Sequence, residues 1–278
     1  MALINLLSPK GGVGCTTLCA NLGMALEHLG YQVVLVDLDP QNALRLHFQL
    51  PLNDPQGLID RFDADVEWRQ LVTRLSDGVD ILPFGNASDA RLSGFADMQR
   101  RPGELSHRLR TLSQTPNTLV VVDANVFPLC EVSPLIDDAD LNLLVLMADA
   151  GSVALMPRLE SQPGSLRQAS EQGRLGYLIN QIDTRSRLKR EIVELMLKRL
   201  APLVVGAVHR DESLAEALAE QRSLFEQAPF SAAARDIEKA ARTLAQQFPL
   251  RFAGIDTTAR PAAGLTPGGV ASTHAKWP

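Results

Sequence analysis

The chain alternates between short, continuously apolar runs and longer segments whose apolar residues recur at helical spacing. The first run, ALINLLS (2–8), precedes a glycine-rich turn, an amphipathic segment ending at Gly30, and a second apolar run, YQVVLVD (31–37). The apolar face of the amphipathic segment consists of Leu18, Leu22, Leu26 and Leu29. Continuous apolar runs predict buried strands, and the helical spacing predicts a helix between them. The pattern therefore predicts a right-handed, parallel βαβ unit.

The same alternation continues over most of the chain. Further strands are predicted at 78–85, 118–124, 141–147, 175–181 and 202–208. Helices are predicted at 103–114, 151–160, 186–200, 211–221 and 231–247. Apolar strands that alternate with helices indicate an α/β fold, with a doubly wound, mostly parallel sheet covered on both faces. We expect residues 1–250 to form this domain and residues 251–278, rich in Gly, Pro, Ala and Thr, to be a disordered tail.

Composition narrows the classes of partner. The net charge of −5 argues against a globally basic nucleic-acid-binding protein, so we expect no nucleic-acid partner. No apolar run reaches the length of about 18 residues that spans a membrane, and MALINLLS is too short for a signal peptide. The three cysteines form no CxxC pair and the five histidines are scattered. We therefore expect a cytoplasmic protein in a reducing compartment, without a protein-ligated metal centre.

The turn SPKGGVGCTT (8–17) carries the strongest chemical signal. Its glycines let the backbone approach anionic oxygens, and the following helix N-terminus attracts phosphate. Position 16 suits a hydroxyl that ligates Mg²⁺, whereas position 15, usually lysine in such loops, is cysteine. The alternative is a turn that merely connects two elements. The residues expected to hold the nucleotide are Gly11, Gly12, Val13, Gly14, Cys15 through its backbone, Thr16 and Thr17.

The run from Lys10 to Thr17 resembles the deviant Walker A motif of the ParA/MinD ATPases, which are P-loop NTPases of the SIMIBI class. The resemblance implies ATP and Mg²⁺ as cofactors and a homodimer that sandwiches ATP. It also implies that Lys10 is a signature lysine that reaches the phosphates of the partner subunit. Two interpretations of Cys15 remain open. It is either a tolerated small residue, or a redox-sensitive thiol whose pKa is lowered at a helix N-terminus.

Acidic residues end two of the predicted strands. The segment VVLVDLDPQN (33–42) resembles the switch I segment of the same family, which implies that Asp37 contacts Mg²⁺ through water and that Asp39 orients the attacking water. The strand TLVVVD (118–123) resembles a Walker B strand, with Asp123 holding the water shell of Mg²⁺. The alternative is that these carboxylates only cap strand ends. The next residues, ANVFPL (124–129), depart from the usual switch II sequence.

A third strand end points to the nucleobase. Asn180 ends the predicted strand LGYLIN, and the resemblance implies that its amide recognises adenine. The alternative is an asparagine that caps the strand. The segment HRDESLAEAL (209–218) resembles a segment that lies near the base in members of this family.

One subfamily is similar over most of the chain: the cellulose biosynthesis protein BcsQ family, on the stretches GGVGCTT, NALRLHFQLP and LINQID. This resemblance implies an accessory factor of bacterial cellulose synthesis and secretion that assembles with the inner-membrane synthase. Implied partners are BcsR and BcsE, which would recruit the protein to the inner membrane or a cell pole. The intact Lys10 and Asp39 favour ATP hydrolysis, whereas Cys15 predicts slow turnover, so the rate is left open.

Two other functions compete with this interpretation. A ParA-type partitioning ATPase would use the basic run RSRLKREIVELMLKRL (185–200) to bind DNA. We interpret this run instead as an amphipathic helix with a solvated charged face. The residues predicted to face inward are Leu188, Ile192, Leu195 and Met196. A MinD-like membrane-cycling ATPase would need a basic amphipathic C-terminal helix, but the apolar face of 235–248 is mostly alanine, so we expect only indirect membrane association.

Overall fold

The computed structural model describes residues 2–51, 54–63, 66–76, 78–113, 117–124, 132–161 and 164–247. The expected tail at 251–278 and all but the first residue of the unusual ANVFPL segment (124–129) lie outside the described residues.

Strands and helices alternate along the described chain. In chain order they are β1 (Ala2–Leu7), α1 (Cys15–His28), β2 (Gln32–Asp37), β3 (Thr73–Arg74), β4 (Val79–Leu82), α2 (Asp89–Gln99), α3 (Glu104–Arg110), β5 (Thr118–Asp123), α4 (Ser133–Asp138), β6 (Leu141–Met147), α5 (Ala150–Ser161), α6 (Ser165–Glu171), β7 (Leu175–Ile182), α7 (Arg187–Leu200), β8 (Val204–His209), α8 (Glu212–Ala219), α9 (Leu224–Gln227) and α10 (Ala232–Gln247). Short 3-10 helices at Leu44–Phe48, Leu58–Asp60 and Trp68–Leu71 lie between β2 and β3.

The described strands form one sheet in the order β3-β4-β2-β5-β1-β6-β7-β8. All neighbouring pairs are parallel except β3 with β4, so the predicted doubly wound, mostly parallel α/β sheet is confirmed. The prediction did not include β3, which is an exposed two-residue edge strand. It also omitted the short helices α4, α6 and α9, and the 11-residue α2, which buries only Phe95, Met98 and Gln99. Helices that bury few side chains leave little periodicity to detect.

The topology brings several strand ends together at one edge of the sheet. β1 lies between β5 and β6, and β5 lies between β1 and β2, so the carboxyl ends of these parallel strands are neighbours. Asp37 and Asp123 are register partners at the ends of β2 and β5. In open α/β sheets, ligands bind at the carboxyl edge where the strand order reverses. The fold therefore places both acidic strand ends beside the glycine-rich turn that follows β1.

A hydrophobic core covers each face of the sheet. α1 and α10 pack together on one face, and helices from α2 to α7 cover the other. The predicted apolar face of α1 is confirmed for Leu18, Leu22 and Leu26, which are buried, whereas Leu29 lies just beyond the last helical residue and is half-buried. Burying this face against the sheet fixes the start of α1, and with it the turn before it.

The predicted inward face of α7 needs correction. Leu188 is 66% exposed and Leu195 is 46% exposed, whereas the buried residues are Val193, Met196 and Leu200. Ile192 is half-buried. The sequence offers two overlapping apolar stripes on this helix, and only the stripe through Val193 and Met196 reaches the core. Because Leu188 lies about 140° around the helix from Val193, both cannot face the sheet.

Candidate nucleotide-binding site

The turn between β1 and α1 has the backbone shape expected of a phosphate loop. Gly12 and Gly14 adopt positive φ angles of 75° and 84°, a left-handed conformation that favours glycine. A Cβ at Gly14 would lie 2.5 Å from the Asn180 Nδ2, so a side chain there would also collide. Gly14 precedes the first residue of α1, and no side chain caps that end of the helix. The first amides of a 14-residue helix are thus left for an anionic ligand.

Cys15 begins α1 with its side chain turned into the protein. It is only 3% exposed, and its thiol lies close to the Asp123 carboxylate. Burial, and next the negative charge of Asp123, raise the pKa of Cys15 well above its ordinary value. The interpretation of Cys15 as a thiol with a lowered pKa is therefore wrong, because desolvation outweighs the helix N-terminus. The structure favours the other interpretation, a small buried residue. Thr16 and Thr17 are half-buried in the same turn.

The acidic strand ends form a buried group. Asp37 and Asp123 have no exposed surface, and Asp39 is nearly buried. The Asp37 carboxylate accepts hydrogen bonds from the backbone amides of Asp39 at 2.9 Å and Leu44 at 3.0 Å. Burial, followed by the charge of Asp123, raises the pKa of Asp37 well above its ordinary value. Asp37 thus caps a turn, as the alternative interpretation supposed, but it also lies in a pair of carboxylates whose repulsion a cation would relieve.

The donor set suits a partly hydrated hard cation. The described residues bring together no group of three or more His, Cys, Asp or Glu side chains able to hold a metal by themselves. Mg²⁺ usually keeps several waters and binds through one or two carboxylates together with substrate phosphates. The two buried carboxylates, Asp37 and Asp123, therefore fit Mg²⁺ that completes its shell with nucleotide oxygens and water.

Lys10 lies on the rim of the site and is bound within its own chain. Its Nζ donates to Asp149 Oδ2 at 2.7 Å and to Oδ1 at 2.9 Å, and its side chain is 25% exposed. Asp149 precedes α5 and also accepts from the Ser152 amide at 2.7 Å. Burial alone would raise the pKa of Asp149, but the hydrogen bonds from Lys10 and Ser152 hold it below its ordinary value. Asp149 was not predicted from the sequence, where its signal was an acidic residue two positions after the end of the apolar strand β6.

An open cavity of about 340 Å³ lies beside the glycine-rich turn, and its volume is typical of small-ligand sites. Its lining residues are Gly14, Thr17, Asn180, Gln181, His209, Arg210, Asp211, Glu212, Leu214, Ala215 and Leu218. The segment 209–218, expected near the base, thus lines a cavity next to the turn. This cavity is called the base-side cavity below.

Asn180 joins the base-side cavity to the turn. Its Nδ2 donates to the Val13 carbonyl at 2.8 Å, and its Oδ1 accepts from the Gln181 amide at 2.9 Å. The side chain therefore supports the turn in the way a structural asparagine would. Its predicted contact with adenine stays a prediction.

The fold and this site together define a P-loop ATPase fold of the ParA/MinD class, and solved structures agree. MinD from Pyrococcus horikoshii, complexed with Mg-ADP, aligns with a TM-score of 0.70 at 18% identity, over 88% of this chain and 96% of that one. A ParA family ATPase from Chlorobium tepidum aligns with a TM-score of 0.66 at 20% identity, over 87% of this chain and 97% of that one. At these identities the likeness concerns the fold.

The chain belongs to the cellulose biosynthesis protein BcsQ family, whose model matches residues 1–246. Cellulose biosynthesis protein BcsQ of Escherichia coli is 28% identical over 267 residues, covering 92% of this chain and 98% of that protein. The Salmonella typhi protein of the same name is 28% identical over 263 residues, covering 93% and 98%. Chromosome partitioning protein ParA of Caulobacter vibrioides is 27% identical over 226 residues, covering 75% and 80%. The resemblance to the BcsQ family is confirmed.

One feature bears on membrane association. Within the described ranges, no helix combines the length and apolar character needed to cross a bilayer.

Proposed function

We propose that this protein binds Mg-ATP at the carboxyl edge of its sheet and acts as an ATP-dependent accessory factor of cellulose synthesis. The observation that carries the proposal is the uncapped N-terminus of α1, which lies behind two left-handed glycines and beside two buried carboxylates. Backbone amides there complement phosphate, and the carboxylates complement the metal that accompanies it. Membership of the BcsQ family supports the link to cellulose.

Each residue from Gly11 to Thr17 has a proposed contact. The backbone amides from Gly11 to Cys15 hold phosphate oxygens, and the hydroxyls of Thr16 and Thr17 bind phosphate or Mg²⁺. Asp37 and Asp123 hold the water shell of the metal. Cys15 supplies its amide only, because its thiol is buried against Asp123.

Lys10 is proposed to take part in both ATP hydrolysis and dimerisation. In a homodimer that sandwiches two nucleotides, Lys10 would leave Asp149 and bind the phosphates of the partner subunit, where charge-assisted hydrogen bonds are strong. Asp39 would orient the attacking water, because its carboxylate lies next to the metal-binding pair. Turnover is expected to be slow, since position 15 offers no cation to the transferred phosphoryl group.

The complex in which the protein acts is also a proposal. We propose that the ATP-bound dimer joins the inner-membrane cellulose synthase through partners such as BcsR and BcsE, and that these partners provide its membrane or polar location. The matched family model ends at residue 246, which supports an ATPase domain of about residues 1–250. The proposal assigns no nucleotide contact to residues 251–278.

A DNA-partitioning role has less support. On α7, Lys189 pairs with Asp183 at 2.6 Å, Arg187 with Glu191 at 2.7 Å and Arg199 with Glu160 at 2.6 Å. Cations already paired with carboxylates release fewer counterions when they meet a phosphate backbone. A steep loss of DNA affinity with rising salt would support the partitioning role instead.

Two measurements test the proposal. Titration calorimetry with ATP, in the presence and absence of Mg²⁺, should give binding that requires the metal. Light scattering on the same samples should give a monomer without nucleotide and a dimer with Mg-ATP. An Asp39→Ala variant should keep the ATP-bound dimer and lose phosphate release. A folded protein that binds no ATP would overturn the nucleotide proposal. A deletion strain that secretes cellulose normally would overturn the proposed pathway.

A further inference from the structure

His209 and Asp236 form a connected pair at the base-side cavity. His209 is the last residue of β8, and Asp236 lies in the first turns of α10. The same carboxylate oxygen, Asp236 Oδ2, lies 2.9 Å from the His209 backbone nitrogen and 2.7 Å from its ring Nδ1. Because two bonds from one residue converge on one atom, the imidazole is held in a single orientation.

This arrangement fixes the tautomer of the neutral ring. An ionised carboxylate only accepts hydrogen bonds, so Nδ1 must carry the proton that it donates to Asp236. In the neutral imidazole the other nitrogen, Nε2, then holds a lone pair and acts as an acceptor. Within the described part of the chain, no side chain is hydrogen-bonded to Nε2.

Most other polar side chains around the base-side cavity are already occupied. Asn180 bonds to the turn and to the Gln181 amide. Asp211 accepts from the backbone amides of Ser213 and Ala233, at 3.0 and 3.1 Å. Arg210 and Glu212 contact each other at 3.5 Å. The His209 Nε2 therefore stands out as an oriented acceptor on a residue that lines the cavity.

We propose that His209, oriented by Asp236, selects a purine that carries an amino group rather than a carbonyl oxygen at its 6-position, and so favours adenine over guanine. The 6-amino group of adenine would donate to Nε2, whereas the O6 of guanine would place a second acceptor against the same lone pair. His209 is the specificity-determining residue, and Asp236 is a positioning residue. The proposal rests on the nucleotide site described above, because the cavity adjoins Gly14 and Thr17.

The test compares affinities for ATP, GTP and inorganic tripolyphosphate by competition against a fluorescent ATP analogue. Wild type should prefer ATP to GTP. His209→Phe keeps a planar ring but removes the acceptor, so the preference should fall about tenfold through weaker ATP binding. Affinity for tripolyphosphate should stay unchanged, because this probe occupies the phosphate loop only.

Two variants of the positioning residue separate orientation from folding. Asp236→Ala should lower the preference by a similar factor, since the ring is then free to turn and to change tautomer. Asp236→Asn should largely restore it, because an amide oxygen can accept both bonds from His209. Glu238→Gln, at a partly exposed position on the same helix, is the matched control and should leave every affinity unchanged.

The outcomes separate this proposal from the function on which it rests. A folded wild type that binds neither ATP nor GTP overturns both. ATP binding with the same preference in His209→Phe overturns only the assignment of His209. Equal losses for ATP and GTP would place the imidazole on the sugar or phosphates and would also overturn that assignment.

Discussion

Positions 10 and 15 lie in the same turn but occupy opposite environments. Lys10 is partly exposed and pairs with Asp149, a residue from a distant part of the chain. Cys15 is buried and neutral, and its thiol contacts Asp123. The single lysine of this turn therefore lies on the rim, where it can exchange one partner for another. Among the described residues, the charged groups in the interior of the site are the carboxylates of Asp37, Asp39 and Asp123, so under the proposed function a metal would supply the positive charge.

The largest effect is expected from removing the rim cation. Lys10→Ala should weaken ATP-dependent dimerisation at least about 100-fold, because each dimer loses two charge-assisted contacts to phosphate. Binding of ATP to the monomer should change much less. Analytical ultracentrifugation over a range of protein concentrations measures the dimer constant. Lys198→Ala, at an exposed position on α7, is the control. A Lys10→Ala variant that dimerises like wild type would show that the lysine acts only within its own chain.

The arrangement of the glycine-rich turn and the two acidic strand ends could be predicted from the sequence, because these residues are close together in the chain or end recognisable strands. The turn at 8–17 opens a helix with a clear apolar face, and Asp37 and Asp123 end continuously apolar strands. Parallel packing then brings both carboxylates to one edge. Local patterns and one general rule of sheet topology therefore suffice for this half.

The remaining pairs of the site and the inward face of α7 depend on tertiary contacts that no local sequence pattern encodes. Lys10 and Asp149 are 139 residues apart and meet only because β1 and β6 are neighbours. His209 and Asp236 meet because α10 packs on β8. The periodicity of α7 fits two apolar stripes, and only tertiary packing determines that the stripe without Leu188 is the buried one. Side-chain contacts could therefore not be predicted from the sequence where two elements share one surface, and neither could the buried face of a helix that has two apolar stripes.

The second prediction concerns a substitution at position 15, the interior position of the turn. In Cys15→Lys, the new ammonium should lie near Asp37 and Asp123 and take over part of the charge that the metal supplies. Removing Mg²⁺ should weaken ATP binding by at least about tenfold in wild type and by only a few-fold in this variant. Calorimetry with and without EDTA gives both ratios, and Cys19→Ala, at the next buried thiol of α1, is the control. If removing Mg²⁺ weakened ATP binding equally in both proteins, the idea that the metal balances the charge of the interior carboxylates would be contradicted.

A smaller effect is expected from freeing the rim lysine. Asp149→Asn removes the charge that holds Lys10 in its own chain, so the ATP-bound dimer should become tighter by no more than about fivefold for each of its two subunits. The limit is low because partly exposed ion pairs contribute little, about 0–1 kcal/mol. Analytical ultracentrifugation over the same range of protein concentrations measures the dimer constant. Asp140→Asn, whose carboxylate pairs with Arg110 away from the turn, is the control. Weaker dimerisation in Asp149→Asn would mean that Asp149 supports the dimer rather than competing with it.

The smallest effect is expected from truncating the interior thiol. Cys15→Ala removes one buried sulfur, so the free energy of unfolding should fall by about 1 kcal/mol while ATP affinity stays within about twofold. Because burial and Asp123 raise the pKa of Cys15, little thiolate is available to react with peroxide. Wild type and Cys15→Ala should therefore lose ATP binding at the same slow rate in dilute peroxide. Faster loss in wild type would restore the redox interpretation of Cys15, and would mean that the turn opens often enough in solution to expose its interior.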